Sequence, residues 1–405
     1  MSRSSNNPWL HRFAVFTAIC TLLLIGLGGL VTSHGVGMSV PDWPTTYGYN
    51  MFLFPVSKWV GGIFYEHTHR LWASEVGLLT LTLTCLLFGK RARWILRSLG
   101  VILLASALFV LWRHQSWTAG IFYGTNGVLM FAISFGLADG ERSPKWLRQL
   151  GLLSFILVVA QGILGGLRVT EMRDEIGIFH AALAQVFLVL VSAIALFTSN
   201  WWQRLAIPRQ TFPSKNLRHF AVATTLLIFV QLILGATMRH QHAGLAIPDF
   251  PLAYGKVWPL TDAASIQAIN QNRFDSTDPN PITAVHVVVH MFHRITAFLI
   301  LFSVGFVASQ FRKTLGAKNP LARLSLIWFG MILAQLGLGI LTVLKNKPAD
   351  IATAHVVLGA ASLVMGAMIT IIARKISVEG KKSMRHVVAA SSVKPASGSK
   401  AALTT

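Results

Sequence analysis

The chain has 405 residues, of which 53% are hydrophobic and 12% are charged, whereas soluble domains carry roughly 25% charged residues. This composition excludes a soluble globule. The formal net charge of +21 does not indicate nucleic-acid binding, because the basic residues lie in short loops between apolar runs of about 20 residues, the length that crosses a bilayer. Both cysteines, Cys20 and Cys85, lie in apolar segments, so neither a disulfide framework nor a cysteine metal motif is expected.

The apolar runs predict an all-α integral membrane protein with about ten transmembrane helices. In chain order these helices are predicted at 12–32, 63–88, 98–112, 120–138, 149–168, 177–198, 219–239, 285–308, 322–343 and 352–374. The third and fourth helices are the weakest of the ten, because the third is short and glycines interrupt the fourth. They form an inserted hairpin at about 97–146.

Basic clusters alternate with near-neutral or acidic loops along the chain. The positive-inside rule places the basic side, and with it both termini, in the cytoplasm. Residues 1–11 are then a cytoplasmic N-terminus, residues 199–218 a cytoplasmic linker, and residues 375–405 a basic cytoplasmic tail that its composition predicts to be disordered. The first helix is expected to be retained, since no signal cleavage site follows it.

An internal repeat divides the chain into two halves, 12–198 and 219–374. The segment GGLVTSHGVGMSVPDWPTTYG at 28–48 recurs as GATMRHQHAGLAIPDFPLAYG at 235–255. Each copy leaves a helix, crosses an outer loop and leads to a helix that starts with EHTHR or HMFHR. The repeat predicts two pseudo-symmetric four-helix transmembrane bundles. The outer loops are expected either to cap a site or to anchor the chain at the membrane interface.

A shorter motif recurs in the helices predicted at 149–168, 219–239 and 322–343. It reads QGILG, QLILG and QLGLG, and it begins at Gln161, Gln231 and Gln335. Glycines in such positions let transmembrane helices pack closely.

Four histidines lie one to two turns inside predicted helices, all at similar depth: His69, His180, His293 and His355. Two imidazoles on different helices of one bundle can bind a haem iron axially, so the pattern predicts the pairs His69/His180 and His293/His355. The alternative is that each histidine hydrogen-bonds a neighbouring backbone carbonyl. Zinc is disfavoured, because two nitrogens leave it short of ligands.

The helix that contains His293 offers two further histidines on the same face, His286 and His290. Either of them could assist or replace His293 as a ligand. The alignment of the two repeats places His293, and not the other two, opposite His69 and therefore favours it.

Glu66 is the main chemical difference between the halves. It lies one turn from His69, whereas the equivalent position of the second half is His290. A carboxylate in one half alone indicates proton chemistry there and a purely redox haem in the other. The alternative is that Glu66 faces water or pairs with Arg70.

Basic side chains near the outer surface are candidates for contacts to haem propionates. Arg70 and Arg294 follow the two aligned histidines and could pair with propionates or simply snorkel to the interface. Four further histidines at the loop edges are expected to face water or to contact propionates at most: His34, His67, His240 and His242.

These motifs resemble the haem A synthase family of cytochrome oxidase assembly, and the resemblance covers nearly the whole chain to about Arg374. It implies a membrane oxidoreductase that converts the C8 methyl group of haem O into a formyl group through a hydroxymethyl intermediate. It also implies haem b as cofactor at His293 and His355, haem O as substrate between His69 and His180, and Glu66 as the catalytic carboxylate.

The implied location is the bacterial plasma membrane, with the haem sites toward its outer face, and the implied partner is haem O synthase. The chain lacks the loop cysteine pair of some family members and carries the inserted hairpin in addition. The main alternative is a non-catalytic di-haem b electron-transfer cytochrome; a haem transporter is less favoured. The electron partner, the source of the formyl oxygen and homo-oligomer formation stay open.

Overall fold

The fold is almost entirely helical. The computed structural model describes residues 8–114, 116–135, 143–205, 212–272 and 281–392. Its α-helices are α1 Pro8–Ser33, α2 Gly61–Phe88, α3 Arg93–Trp112, α4 Trp117–Phe135, α5 Lys145–Glu171, α6 Asp174–Thr198, α7 Asn200–Arg204, α8 Lys215–His240, α9 Ala263–Gln271, α10 Ala284–Leu315, α11 Pro320–Leu344 and α12 Ala349–Ser392. Two short strands, β1 Thr45–Thr46 and β2 Tyr49–Asn50, pair in the first outer loop.

Ten of these helices are long and apolar enough to cross a membrane within the described ranges, which confirms the predicted fold class. The remaining two, α7 and α9, are short. Most of the ten extend beyond the predicted ends, because aromatic and basic residues at the membrane interface continue the helix after the apolar run stops.

Eight of the ten spanning helices form two rings of four. In the first ring α1 contacts α2, α2 contacts α5, α5 contacts α6, and α6 closes back on α1. In the second ring α8, α10, α11 and α12 follow the same order. The rings meet where α1 packs against α12 and where α6 packs against α8. Because α8 and α12 are the repeat equivalents of α1 and α6, the repeat relates these two contacts to each other.

Small residues allow the two rings to approach closely. A Cβ added to Gly29 of α1 would lie 2.9 Å from Thr353 Cγ2 of α12. In the same interface the guanidinium group of Arg239 donates to the carbonyl of Gly29 and, at 3.0 Å, to Ser33 Oγ. Backbone proximity and buried hydrogen bonds, rather than apolar burial alone, therefore join the halves, as is usual in lipid.

The inserted hairpin consists of α3 and α4 and packs outside the first ring, against α2. The glycines that interrupt the predicted fourth helix do not break α4. A Cβ at Gly127 would lie 2.9 Å from the backbone nitrogen of Leu104, and one at Gly120 would lie 2.5 Å from Leu111 Cδ2. The glycines are therefore contact points with α3.

The last helix corrects the prediction of a disordered tail from residue 375. Helix α12 continues to Ser392, and Ile376 and Ser377 are still buried. The lysines, alanines and methionine of this stretch favour helix, and charged composition alone did not reveal the packing. Residues 393–405 lie outside the described residues.

Candidate functional site

Each of the four candidate histidines lies against a glycine of the preceding helix in its ring. The distances from an added Cβ to the histidine Cε1 atom are 3.1 Å for Gly28 and His69, 3.3 Å for Gly165 and His180, 3.3 Å for Gly235 and His293, and 3.1 Å for Gly339 and His355. The same helix-pair geometry thus occurs four times. Any larger residue at these glycines would displace the imidazole rings.

The glutamine motif has a defined role in three of the four helix pairs. The side-chain amides of Gln161, Gln231 and Gln335 donate to the backbone carbonyls of His180, His293 and His355 at 3.0, 2.9 and 2.8 Å. Helix α1 has Leu24 at the equivalent position. These bonds fix the helices one turn from the glycine contacts, and so hold the imidazoles at equal depth.

The rings of His293 and His355 face each other across the second bundle. Their centroids are 6.4 Å apart with an interplanar angle of 60°. Because bonds from a metal to imidazole nitrogen are about 2 Å long, this separation leaves room for one metal atom between the rings. In the first bundle, His69 and His180 are near enough for their charges to interact.

The four rings differ in the hydrogen bonding of their Nδ1 atoms. The Nδ1 atoms of His69, His180 and His293 are buried without a partner, so these rings do not bond a neighbouring carbonyl through Nδ1. Only His355 does so, with Nδ1 3.1 Å from the carbonyl oxygen of Gln335, a bond that also orients metal-binding imidazoles. No cluster of three or more potential metal ligands occurs in the described part of the chain, which agrees with two imidazoles per site.

Glu66 is buried beside the first pair, and both of its carboxylate oxygens have partners. Oε1 accepts from Arg70 Nη2 at 2.8 Å, and Oε2 accepts from the backbone N–H of Val40 at 2.9 Å. The ion pair with Arg70, one of the two alternatives for Glu66, is therefore formed. In the sequence Glu66 is one helical turn from His69 in α2.

Arg70 and Arg294 both anchor the outer loops. Arg70 donates to the carbonyls of Val40, Asp42 and Thr45 at 2.7, 2.6 and 3.1 Å. Arg294 donates to the equivalent carbonyls of the second loop, those of Ile247, Asp249 and Leu252, at 3.2, 2.7 and 3.0 Å. These bonds commit the guanidinium groups to the loops, although both groups lie within electrostatic range of the neighbouring His69 and His293.

The two outer loops also share their internal hydrogen bonds. Asp42 accepts from the backbone N–H groups of Tyr47 and Gly48 at 2.7 and 2.9 Å, and Asp249 accepts from those of Tyr254 and Gly255 at 2.8 and 2.9 Å. Burial opposes ionisation of Asp42, but these bonds and that of Thr45 outweigh it, so the pKa of Asp42 lies below its ordinary value.

The first loop reaches the first site directly. The indole of Trp43 lies on α5, where an added Cβ at Gly166 would be 2.3 Å from Trp43 Cδ2. Gly166 follows Gly165, the residue against which His180 packs. The loop therefore covers the outer end of the helix pair that presents His180.

The two other histidines of α10 have separate surroundings. His286 is part of the helix N-cap, where its Nδ1 accepts from Thr283 N at 3.3 Å. His290 is buried, with Nδ1 unpartnered. The ring opposite His355 is that of His293.

Two of the four loop-edge histidines, which were expected to face water or to contact propionates at most, are buried. His67 is fully buried between Phe54 and Trp59 and bonds Thr46 at 3.2 Å, because the folded outer loop covers this side of α2. His240 is buried where the two rings meet. His34 and His242 are exposed.

Sequence reasoning missed two basic residues near the sites. Arg168 lies close enough to interact electrostatically with both His69 and His180, and Arg239 does so with His355. The sequence could have indicated them by their positions, one turn or more beyond the Gln–Gly motif. A charged residue inside a predicted span is costly and usually functional.

Comparisons with known proteins identify the family of the chain. The family model described as cytochrome oxidase assembly protein (COX15-CtaA) matches residues 49–368. The chain is similar to proteins named heme A synthase, with 24% identity to one from Allorhizobium ampelinum over 87% of each chain. Identity is 23% to one from Shewanella oneidensis, over 90% of this chain and 94% of the relative. It is 24% to one from Bacillus cereus, over 85% and 88%.

Proposed function

The chain belongs to the cytochrome oxidase assembly protein family, and from this premise we propose that it is a multi-pass bacterial membrane enzyme of haem A biosynthesis. Its reaction is the oxidation of the C8 methyl group of haem O to a formyl group, through a hydroxymethyl intermediate. The product serves assembly of haem–copper cytochrome oxidase. Haem O synthase supplies the substrate, and both termini are cytoplasmic.

The asymmetry between Glu66 and His290 carries the assignment of the two halves. The two four-helix rings are alike in their glycine contacts and outer loops. Among the described residues, the first ring has the buried carboxylate of Glu66 one turn from its histidine ligand candidate, and the second ring has the buried His290 at the equivalent position. We assign His69 and His180 to the substrate haem O. We assign His293 and His355 to haem b, whose iron supplies electron transfer when it is bound.

The protein's own part in the reaction centres on the carboxylate of Glu66. Arg70 and the backbone N–H of Val40 hold it in one orientation, which is the preorganisation that charge stabilisation requires. From there it would stabilise positive charge that develops at the methyl carbon as electrons leave for an acceptor outside the chain, and it would accept the proton released at the same carbon. The indole of Trp43, a residue of the first outer loop, packs against α5 and limits the access of water from outside.

The test is production of haem A in a host that lacks it. We would coexpress the chain with a haem O synthase and compare wild type with Glu66→Gln and Glu66→Ala by chromatography of extracted haems. We expect haem A from wild type, and a fall of at least about 100-fold in both variants, with haem O or the hydroxymethyl haem accumulating. Glu75→Gln, in the same helix but beside the hairpin, is the matched control and should keep wild-type yield.

The competing function is a di-haem b cytochrome, which the two facing histidine pairs would support equally well. Folded wild-type protein that contains haem b but forms no haem A would favour that function. Unchanged haem A yield in Glu66→Ala would remove the carboxylate from the mechanism.

A further inference from the structure

A cluster of basic side chains is buried where the two rings meet. It consists of Arg168 at the end of α5 and of Arg239 and His240 at the end of α8. An added Cβ on Gly177 of α6 would lie 2.9 Å from Arg168 Nε and 2.7 Å from His240 Cε1. Arg168 and His240 therefore converge on one place at the outer end of the interface, and Arg239 directly precedes His240 in α8.

Two side chains of the cluster have buried nitrogen atoms without a hydrogen-bond partner, Arg168 Nε and His240 Nδ1. Arg168 Nη1 donates to the Gly37 carbonyl over a long distance of 3.4 Å. The acidic residues near Arg168 are Asp174, which is only partly buried, and Glu66, which is already paired with Arg70. Several buried cations without an ion pair are costly, unless a ligand neutralises them.

The cluster lies between the two histidine pairs. Arg168 lies one helical turn beyond Gly165, the residue against which His180 packs. Arg239 lies one turn beyond Gly235, the residue against which His293 packs. His240 lies beside Arg168 at Gly177. An anion bound by the cluster would therefore be part of a ligand of the two histidine pairs.

We propose that this cluster binds the carboxylate groups of the porphyrins, with Arg168 receiving those of the substrate in the first ring and Arg239 those of the haem in the second. His240 lies between them and adds a donor. The proposal rests on the proposed placement of a porphyrin at each histidine pair. Arginine suits this role because its guanidinium fork binds carboxylates in bidentate fashion.

The arginines that follow the aligned histidines fit this role less well. Arg70 and Arg294 each donate to three loop carbonyls, and Arg70 also bonds Glu66. Their donors are used within the protein, whereas Arg168 makes one long bond to the Gly37 carbonyl and Arg239 uses only Nη2, for Gly29 and Ser33. The carboxylates consequently point toward the interface between the rings rather than toward the loops.

The test compares haem b with its dimethyl ester, in which both carboxylates are neutral. Haem-free full-length protein would be titrated with each, with binding followed by the Soret absorbance of the bis-imidazole complex. The background His293→Ala/His355→Ala isolates the first site, and His69→Ala/His180→Ala isolates the second. We expect each site to bind the diacid at least about tenfold more tightly than the ester.

The arginine variants assign the preference to its source. Arg168→Gln should abolish the preference for the diacid at the first site and leave the second unchanged, and Arg239→Gln should do the reverse. Arg168→Lys should retain part of the preference. The control is Arg173→Gln, since the Arg173 side chain is 65% exposed on the same face, and it should change neither site.

Haem-free stability separates binding from structure. Removing an unneutralised buried cation should leave the melting temperature of haem-free Arg168→Gln equal to or above that of wild type. A lower melting temperature with the diacid preference intact would show that Arg168 is only structural. Equal binding of diacid and ester by wild type would overturn the proposal without requiring any variant.

This outcome is independent of the catalytic assignment. A clear diacid preference in a protein that makes no haem A would refute the proposed reaction and retain the carboxylate site. Haem A formation by a protein that binds the ester as well as the diacid would refute the carboxylate site and retain the proposed reaction.

Discussion

At the residue scale, the position of each candidate ligand depends on a glycine. The absent side chains of Gly28, Gly165, Gly235 and Gly339 leave the space that the four imidazole rings occupy. Glycine usually weakens a helix, but in lipid it allows close packing. Here the glycines also set how far each imidazole ring extends into its four-helix bundle.

Enlarging one of these glycines should therefore reduce haem binding. Gly339→Val places methyl groups against His355, whose Cε1 is 3.1 Å from an added Cβ, and overpacking of this kind costs about 1–3 kcal/mol. We expect at least about a tenfold loss of haem b affinity in the second ring, measured by haem content and reduced-minus-oxidised spectra.

Gly337→Val is the matched control, two residues away in the same helix and with no atom within 4 Å of an added Cβ. Both variants carry the same change of helix propensity, a gain over glycine. If both lost haem equally, a general effect of valine on this helix rather than contact with His355 would explain the loss.

At the element scale, the inserted hairpin is bonded to the first ring at the level of α2. Asn126 Nδ2 of α4 donates to Glu75 Oε2 of α2 at 2.9 Å, and Phe52 of the outer loop stacks on Phe122 at a centroid distance of 5.0 Å. A carboxylate within a membrane span is expensive without a partner. The hairpin supplies that partner.

The Glu75–Asn126 pair should show a measurable coupling. We expect Asn126→Ala and Glu75→Ala each to destabilise the protein, with a coupling free energy of about 1 kcal/mol in the double-mutant cycle. Unfolding in detergent micelles is the measurement. Thr125→Ala is the control, since its exposed hydroxyl bonds only carbonyls of its own helix; additive effects of the two substitutions would contradict the pairing.

At the scale of the whole molecule, two similar bundles meet along a close interface. Gly29 and Thr353 bring α1 and α12 together, and Arg239 bonds α8 to α1. The two bundles thus need contact with each other to bury their polar groups. The proposed carboxylate site lies in this same interface.

The two bundles should consequently assemble when expressed as separate chains, cut between residues 205 and 212. We expect the tagged first fragment to retain the second through purification. Gly29→Ile, whose Cβ would lie 2.9 Å from Thr353 Cγ2, should lower the recovery several-fold. Gly162→Ile, with no atom near an added Cβ, should not; fragments that never associate would show that the linker is essential.

Much of the architecture was determined by the sequence alone. Apolar runs of bilayer length predicted the ten spanning helices, the repeat predicted two like bundles, and the depth of four histidines predicted two facing pairs. These features can be predicted from the sequence, because hydropathy and spacing depend only on neighbours along the chain. The glutamine motif was visible as well, although its bonds to histidine carbonyls were not.

The partners of the charged groups were decided only by the tertiary structure. Nothing in the spacing shows that Arg70 and Arg294 would bind the outer loops, that His67 and His240 would be buried, or that Arg168 and Arg239 would converge from different helices. A charged side chain in a membrane protein takes whichever partner the packing brings within reach. That choice depends on contacts between residues distant in the chain, which periodicity does not record.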